Sequence, residues 1–290
     1  MKIAFIGLGN MGGGMAANLV KAGYAVQAFD LSEDACAKAS ENGCAIFTDA
    51  KAAVADVDAV VTMLPNGKIA ESVFSGEIIG LAPARALLLD CSTIDVDTAI
   101  RMENTARASG YDMVDAPVSG GIAAANAGIL TFMVGGSKAA FKRAEPILSA
   151  MGKTVIHAGQ SGAGQAAKIC NNMLLGASMI ATCETFKLAE KLGLDLQTFY
   201  NIASQASGQN WSMTSYCPVP GIGPHSPADN DYKGGFASAL MLKDLRLALQ
   251  AAASTGADVP MGKRAEELYA AFVEGGQDGV DFSAIIRSLG

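Results

Sequence analysis

An apolar strand that runs straight into a glycine-rich turn and then into a helix leaves a chain few folds to choose from. Residues 2–14 read KIAFIGLGNMGGG, an apolar run followed by G-x-G-x-x-G from Gly7 to Gly12 and then the start of a helical pattern. Each glycine has a physical reason in that setting: Gly7 makes the tight turn, Gly9 lets the backbone approach a ligand, and Gly12 lets the helix sit close to the strand. A helix opening here aims unpaired N–H groups and its positive dipole end at that ligand, which suits a pyrophosphate. Asn10 and Met11, inside the motif, are candidate cofactor contacts with the glycines. The pattern alone is weak in a chain with 33 glycines; its place between strand and helix gives it meaning. A second apolar run, AVQAFD, ends at Asp30, 18 residues beyond Gly12. A carboxylate there accepts hydrogen bonds from ribose hydroxyls and repels a 2′-phosphate, and Leu31 and Ser32 supply no arginine for one. NAD is therefore expected rather than NADP.

Apolar runs and helical patterns then alternate. Strands are expected at Lys2 to Ile6, Ala25 to Asp30, Asp58 to Leu64, Ala86 to Asp90, Tyr111 to Ala116, Leu130 to Gly136 and Lys153 to Gly159. A helix is expected from Asn10 to Ala22, and another behind Ser32, a capping residue with Asp34 in the first turn. This alternation implies a Rossmann-type, doubly wound, mostly parallel sheet covered on both faces. Past Gly162, alanine- and leucine-rich segments take over. Helices are expected at about Gln165 to Lys191, closed by Gly193, and at Leu196 to Ala206 behind Asp195. Others are expected at Ala237 to Thr255, after Pro260 and after Ser283, with an irregular passage from Trp211 to Phe236. The reading is a dinucleotide-binding domain over residues 1–162 and an all-helical substrate and oligomerisation domain over 163–290.

Half of the residues are hydrophobic and only 17% are charged, yet no apolar run reaches the roughly 18 to 20 residues of a spanning helix. The glycines follow Lys2 too soon for a signal-peptide core, so a soluble, cytoplasmic protein off the membrane is expected. A net charge of −7 without a Lys/Arg cluster argues against a nucleic-acid-binding face. The six cysteines form no C-x-x-C pair, so neither a zinc site nor a disulfide framework is indicated, and no metal is expected. His157 and His225 lie far apart and are read as structural or surface residues.

Ligands of open α/β sheets gather at the carboxyl ends of the strands. The loops LPNG (Leu64, Pro65, Asn66, Gly67), CST (Cys91 to Thr93) and APVSGG (Ala116 to Gly121) fall there. Ser119, Gly120 and Gly121 can present a hydroxyl and successive N–H groups to an anion such as a carboxylate, or form an ordinary turn. One stretch breaks the apolar character of its helix: QAAKICNNMLLG, Gln165 to Gly176. A buried ammonium without a partner is costly, so Lys168 must lie at a wet edge, be paired, or be used. It can snorkel, or it can work with Asn172, which four residues on shares its face of the helix. Asn171 points elsewhere.

These pieces together resemble the β-hydroxyacid dehydrogenase family over essentially the whole chain. The marks are FIGLGNMGGGMAANL, DAPVSGG, GAGQAAKICNN and LMLKDL, in that order; YCPVPG, YKGGF and DFSAIIRSL are similar to the branch acting on 3-hydroxyisobutyrate. The resemblance implies that Lys168 is the catalytic lysine, Asn172 its substrate-binding companion, and Ser119, Gly120 and Gly121 a carboxylate clamp. It further implies that Thr93, Leu64 and Pro65, with Asn66 beside them, line the nicotinamide side and that Lys243 approaches the cofactor. Trp211 and Phe236 would be apolar contacts in the substrate pocket. The run Gly12 to Gly14, where the family often has alanine, is expected to loosen the helix start.

In physical terms, alcohol oxidation needs a base within hydrogen-bond reach of the hydroxyl as hydride leaves carbon. A lysine serves if desolvation and a positive nicotinamide lower its pKa. The expected activity is NAD-dependent oxidation of a small 3-hydroxy acid, 3-hydroxyisobutyrate or a close relative, to its semialdehyde. A reductase of tartronate, succinate or glyoxylate semialdehyde is a second enzyme reading, and a noncatalytic NAD-binding protein a third. A homo-oligomer, dimer or tetramer, goes with the family.

Overall fold

The computed structural model describes residues 1–289. Contacts gather these into two compact units, Met1–Lys168 and the chain from Ile169 onward.

In the first unit the strands are β1 (Lys2–Ile6), β2 (Ala25–Phe29), β3 (Ala45–Ile46), β4 (Ala59–Thr62), β5 (Leu87–Asp90), β6 (Asp112–Asp115), β7 (Val118–Ser119), β8 (Leu130–Gly135) and β9 (Gly152–Gly159). The helices between them are α1 (Gly12–Lys21), α2 (Glu33–Glu41), α3 (Ala50–Val54), α4 (Gly67–Val73), α5 (Val96–Ala108), α6 (Gly121–Ala127) and α7 (Lys138–Ser149). One nine-stranded sheet results, in the order β3-β2-β1-β4-β5-β6-β8-β7, with β9 beside β8. Pairing from β3 to β6 is parallel; β8 runs antiparallel to β6 and β7, and parallel to β9. The sheet is thus mostly parallel, of Rossmann type.

Burial on both faces explains why the strands read as continuous apolar runs rather than alternating ones. Ile3 and Phe5 pack with Met15 and Leu19 in one core, while Ala4 and Ile6 pack with Val54, Phe74 and Leu88 in the other. Helix starts are fixed by side-chain caps. Ser32, Asp49, Asn66, Asp95 and Ser137 each accept the N–H three residues on, a contact worth about 1 kcal/mol.

Register places the loops that matter in one row. Ile6 pairs with Phe29 and Thr62, Thr62 with Asp90, and Asp90 with Asp115. The glycine loop, Asp30, the Met63–Gly67 loop, the Cys91–Ile94 loop and Ala116 therefore all leave the sheet at the same edge. β1 continues into β2 on one side while β4 lies on its other side, the topological switch at which such sheets bind ligands.

Short elements differ from expectation. β3, α3, β7 and α6 form where the sequence suggested connections, because two to seven residues carry too little periodicity to read. Helix α1 begins at Gly12 rather than Asn10, leaving Asn10 and Met11 in the loop.

The last helix to begin in the first unit, α8 (Ala163–Lys191), carries on into the second. There follow α9 (Leu196–Ala203), α10 (Trp211–Thr214), α11 (Ser238–Thr255) and α12 (Pro260–Phe272), with 3₁₀ turns at Pro227–Asn230 and Phe282–Ser288. Asp195 caps α9, accepting from Thr198 N–H at 2.8 Å. The helix expected after Ser283 is a 3₁₀ segment from Phe282 to Ser288, capped by Asp281. Met179, Cys183, Phe186, Leu245, Tyr269 and Ile285 form the core, and among the described residues this unit contains no strand. No helix among the described residues is long and apolar enough to cross a membrane.

Candidate active site

At the glycine loop, Gly7 and Gly12 are required by the protein itself. Gly7 has φ +97°, a Cβ on it would strike the Met63 carbonyl, and one on Gly12 would strike the carbonyl of Gly7. Gly9 is different: its backbone is not left-handed, and a Cβ there meets nothing within 4 Å. A Cβ at Gly9 is thus not excluded by the protein itself, and the open space beside it ahead of the α1 N-terminus is what a close-approaching anion would need. Asp30 is tied to this loop, its Oδ2 accepting from Leu8 N–H at 2.6 Å and its Oδ1 from Ser32 N–H at 2.8 Å. Each carboxylate oxygen keeps a lone pair for a ribose hydroxyl. Gly14 does not loosen α1. A Cβ there would collide with Asn126 of α6, and Asn18, one turn on, donates to the Ala125 carbonyl at 2.7 Å, so the glycine permits a close helix crossing.

The next loops are braced from beneath by Asp90. Its Oδ1 accepts from Thr62 Oγ1 at 2.7 Å and from Ser92 Oγ at 2.6 Å, while Ser92 Oγ accepts from Leu64 N–H at 2.8 Å. Asp90 Oδ2 is buried without a hydrogen-bond partner. Burial, reinforced by nearby Asp115, pushes the carboxyl up to about 6 against the donors from Ser92 and Thr62. Leu64 and Thr93 are half-buried, and Pro65 and Asn66 exposed, along this rim. The Asn66 side chain accepts from Ile69 N–H at 3.0 Å, so it caps α4.

Gln165 locks α8 to the same rim. Wholly buried, it donates through Nε2 to the Ser92 carbonyl at 2.8 Å and accepts Ile94 N–H at Oε1 at 3.1 Å. Asp115 takes the first amides of α8, Gly162 N–H at 2.8 Å and Gln165 N–H at 2.9 Å. Burial raises the Asp115 carboxyl and these amides oppose the rise. Lys168 follows Gln165 by three residues, on the same side of the helix, and is 8% exposed.

Ser119 ends β7, paired with Thr131 of β8, and Gly120 leads directly into α6 with φ +137°. Ser119, Gly120 and Gly121 thus combine a partly exposed hydroxyl with first-turn amides, an arrangement suited to a small anion.

In the second unit Asn172 is 1% exposed and fully oriented. Its Nδ2 donates to Asp244 Oδ2 at 2.5 Å, and its Oδ1 accepts from Asn171 at 2.9 Å. Asn171 therefore turns back to serve Asn172. Lys243 Nζ lies 3.4 Å from Asp244 Oδ1, an ion-pair distance without hydrogen-bond alignment. Trp211, 50% exposed, stacks on Tyr216, and Phe236 meets Phe282 edge-on. His157 stacks on Phe141 and contacts the Gly136 carbonyl at 2.8 Å, a structural role, while His225 is exposed beside Asp229. Among the described residues no group of His, Cys, Asp or Glu is placed to hold a metal, and the cysteines are free thiols.

Comparison with known proteins places the chain in a family. Residues 2–159 match the family described as the NAD binding domain of 6-phosphogluconate dehydrogenase, and residues 162–289 that described as NAD-binding of NADP-dependent 3-hydroxyisobutyrate dehydrogenase. A Mycobacterium tuberculosis protein named probable 3-hydroxyisobutyrate dehydrogenase is 47% identical, over 99% of this chain and 97% of its own length. This chain belongs to the β-hydroxyacid dehydrogenase family. A Pseudomonas aeruginosa relative named NAD-dependent L-serine dehydrogenase is 44% identical over 98% of this chain and 96% of its own. The solved M. tuberculosis 3-hydroxyisobutyrate dehydrogenase with L-serine superposes with a TM-score of 0.94, at 46% identity over 99% of this chain and 98% of that one. Membership makes the chain an oxidoreductase of the hydroxy-acid type that works with a nicotinamide dinucleotide, NAD(P).

Several polar residues central to this geometry have no role assigned from the sequence, although Ser92, Asp115 and Gln165 lie inside the CST, DAPVSGG and GAGQAAKICNN stretches. Asp90, Asp115 and Gln165 read as strand ends or helix filler and Ser92 as part of a loop, because their partners lie as many as 73 residues away. Only Gln165 offered a signal, an amide one turn before a buried lysine.

Proposed function

We propose that this enzyme uses NAD to oxidise 3-hydroxyisobutyrate, or a close 3-hydroxy acid, to its semialdehyde, with Lys168 as general base. One observation carries the reading: Lys168 and Asn172, 8% and 1% exposed, lie one turn apart on α8, whose first turn Gln165 pins to the loop bearing Thr93. A chain does not bury an amine and an amide on one helical face without a use or a partner for them.

Bound at the glycine loop, NAD would supply the acceptor for the hydride that leaves the carbinol carbon. The Lys168 amine takes the hydroxyl proton in that direction and returns it in the reverse direction. Asn172, held by Asn171 and Asp244, keeps one amide hydrogen and one lone pair to orient the reacting oxygen or the lysine. The Ser119 hydroxyl with the amides of Gly120 and Gly121 holds the substrate carboxylate. Leu64, Pro65, Asn66, Thr93 and Lys243 contact the cofactor with the glycine loop. Trp211 and Phe236 present aromatic surface, which suits a methyl substituent better than a hydroxyl. Asp30 favours NAD over NADP, although the description of the second matching family carries NADP. The exposed Leu174, Leu188 and Leu192 on α8 support self-association as a dimer or tetramer.

L-serine is the second substrate to test, because one relative is named for it and a solved relative holds it. It is itself a 3-hydroxy acid, with an ammonium in place of the methyl. Initial rates across 3-hydroxyisobutyrate, L-serine and the tartronate, succinate and glyoxylate semialdehydes rank the readings. Lys168→Ala is expected to lower kcat by about 10²–10⁴-fold while NAD binding, followed by fluorescence titration, stays intact. Wild-type turnover in that variant would end the assignment.

A further inference from the structure

The sequence stretch Asp281–Ser283 opens the C-terminal 3₁₀ turn, and a cap needs only one carboxylate oxygen. Asp281 Oδ1 does that work, accepting from Ser283 N–H at 3.0 Å and Ser283 Oγ at 2.6 Å. Oδ2 is turned the other way. It accepts from the Tyr216 hydroxyl at 2.8 Å and from Phe236 N–H at 2.7 Å. The residue is wholly buried, and four donors converge on it. Gly235 is part of the fit, since a Cβ there would collide with Asp281 Oδ2 and the Tyr216 hydroxyl.

What this carboxylate holds is an aromatic array. The Tyr216 ring lies 4.9 Å from the indole of Trp211 at 21°, and 5.5 Å from Phe282. Phe236 meets Phe282 at 5.8 Å and 70°. Trp211 is the only tryptophan of the chain, and half of it is open to solvent. Trp211 thus presents a large apolar plate at the surface while its ring is stacked on a half-buried tyrosine. Stacking on a ring whose hydroxyl is anchored to a buried charge removes the freedom an exposed indole would otherwise have.

We propose that Asp281 is a specificity-positioning residue, which, through the Tyr216 hydroxyl and the Phe236 amide, sets the plane of Trp211 and the place of Phe236 at the substrate. This rests on the reading that Trp211 and Phe236 wall the substrate site. Asp281 touches neither substrate nor cofactor; it acts through the aromatic residues. A purely structural hub would instead affect stability and leave substrate discrimination alone. Both the charge and the phenol matter: the Tyr216 hydroxyl is pushed well above the ordinary phenol range by burial and by the Asp281 carboxylate, so it remains a donor across the working pH range.

Tyr216→Phe removes the hydroxyl and keeps the ring; Asp281→Asn keeps the shape and removes the charge. Each is compared with Trp211→Ala by three measurements: acrylamide quenching of Trp211 fluorescence (in the two variants that retain it), KM for the hydroxy acid, and KM for NAD. In Tyr216→Phe the indole is expected to become more accessible to quencher, and KM for the acid to rise about threefold to tenfold. KM for NAD is expected to stay within about twofold, and the ratio of kcat/KM between 3-hydroxyisobutyrate and L-serine to change. Asp281→Asn is expected to move the same quantities the same way; should it not fold, Tyr216→Phe alone decides. An unchanged acid KM and substrate ratio in Tyr216→Phe, with a raised acid KM in Trp211→Ala, overturns the positioning role and leaves the pocket wall standing. An unchanged acid KM in Trp211→Ala overturns the wall itself and this inference with it.

Discussion

Asp90 closes β5 with a carboxylate sealed from water, one oxygen taking three donations from Thr62 and Ser92 and the other taking none. Burial pushes it to about 6, whereas in the unfolded chain an aspartate ionises near about 3.9. The folded state therefore holds this proton more tightly. The associated stability is fully present below about pH 4 and is lost as pH rises through about 6, a change of up to about 3 kcal/mol. Asn at this position keeps the acceptor facing Ser92 and Thr62 but cannot ionise. Urea unfolding should show Asp90→Asn gaining on the wild type between pH 4 and pH 7; parallel pH profiles would show that the wild-type group ionises without cost. Asp30 governs a different choice. Leu31 beside it is 92% exposed, leaving room for a guanidinium, so Asp30→Ser with Leu31→Arg should shift the NADP to NAD ratio of kcat/KM upward by about ten- to a hundredfold. Because Asp30 also holds Leu8 N–H, activity with NAD should fall as well. Of these residues Asp30 was legible, since a strand and a glycine loop fix its meaning. Asp90 was not, since its chemistry depends on what surrounds it rather than on its neighbours in the chain.

Among the elements, α8 shows most clearly what a sequence can and cannot tell. Its length and its Lys168–Asn172 face follow from composition and period, because a charged and an amide residue stand out in an apolar helix. How the helix is aimed does not follow. That depends on Gln165 reaching Ser92 and Ile94 and on Asp115 receiving the first amides, contacts spanning 47 to 73 residues. Gln165→Leu leaves the Ser92 carbonyl and the Ile94 amide buried and unpaired, at about 1–3 kcal/mol each. The expected result is a lower urea midpoint together with a fall in kcat larger than the change in KM for NAD, since the glycine loop is untouched. A loss of stability with kcat unchanged would show that Gln165 holds the fold and not the lysine. The short elements were illegible for a simpler reason. β7 and α6 span two and seven residues, and the close crossing that needs Gly14 exists only once α6 is in place.

At the scale of the whole molecule, the division of labour follows from where the candidate residues lie. The glycine loop, Asp30, the loops after β4 and β5, Ser119–Gly121 and Lys168 all belong to the unit Met1–Lys168, while Asn172, Trp211, Phe236 and Lys243 belong to the other. The doubly wound sheet was readable because each buried parallel strand is an apolar run followed by a turn, a pattern that survives without any long-range information. The helical unit was readable only as helices, since its core joins residues from Met179 to Ile286. Because nearly every proposed cofactor contact lies in the first unit, dinucleotide binding should stabilise the native chain whether or not substrate is present. At 100 times its Kd a ligand that binds only the folded state adds about 2.7 kcal/mol. At about 2–4 °C per kcal/mol for a unit of this size, NAD should raise the unfolding midpoint by roughly 5–10 °C in a thermal scan. NADP at the same concentration should raise it much less, because the Asp30 carboxylate meets the 2′-phosphate; equal shifts from the two dinucleotides would remove Asp30 from cofactor choice.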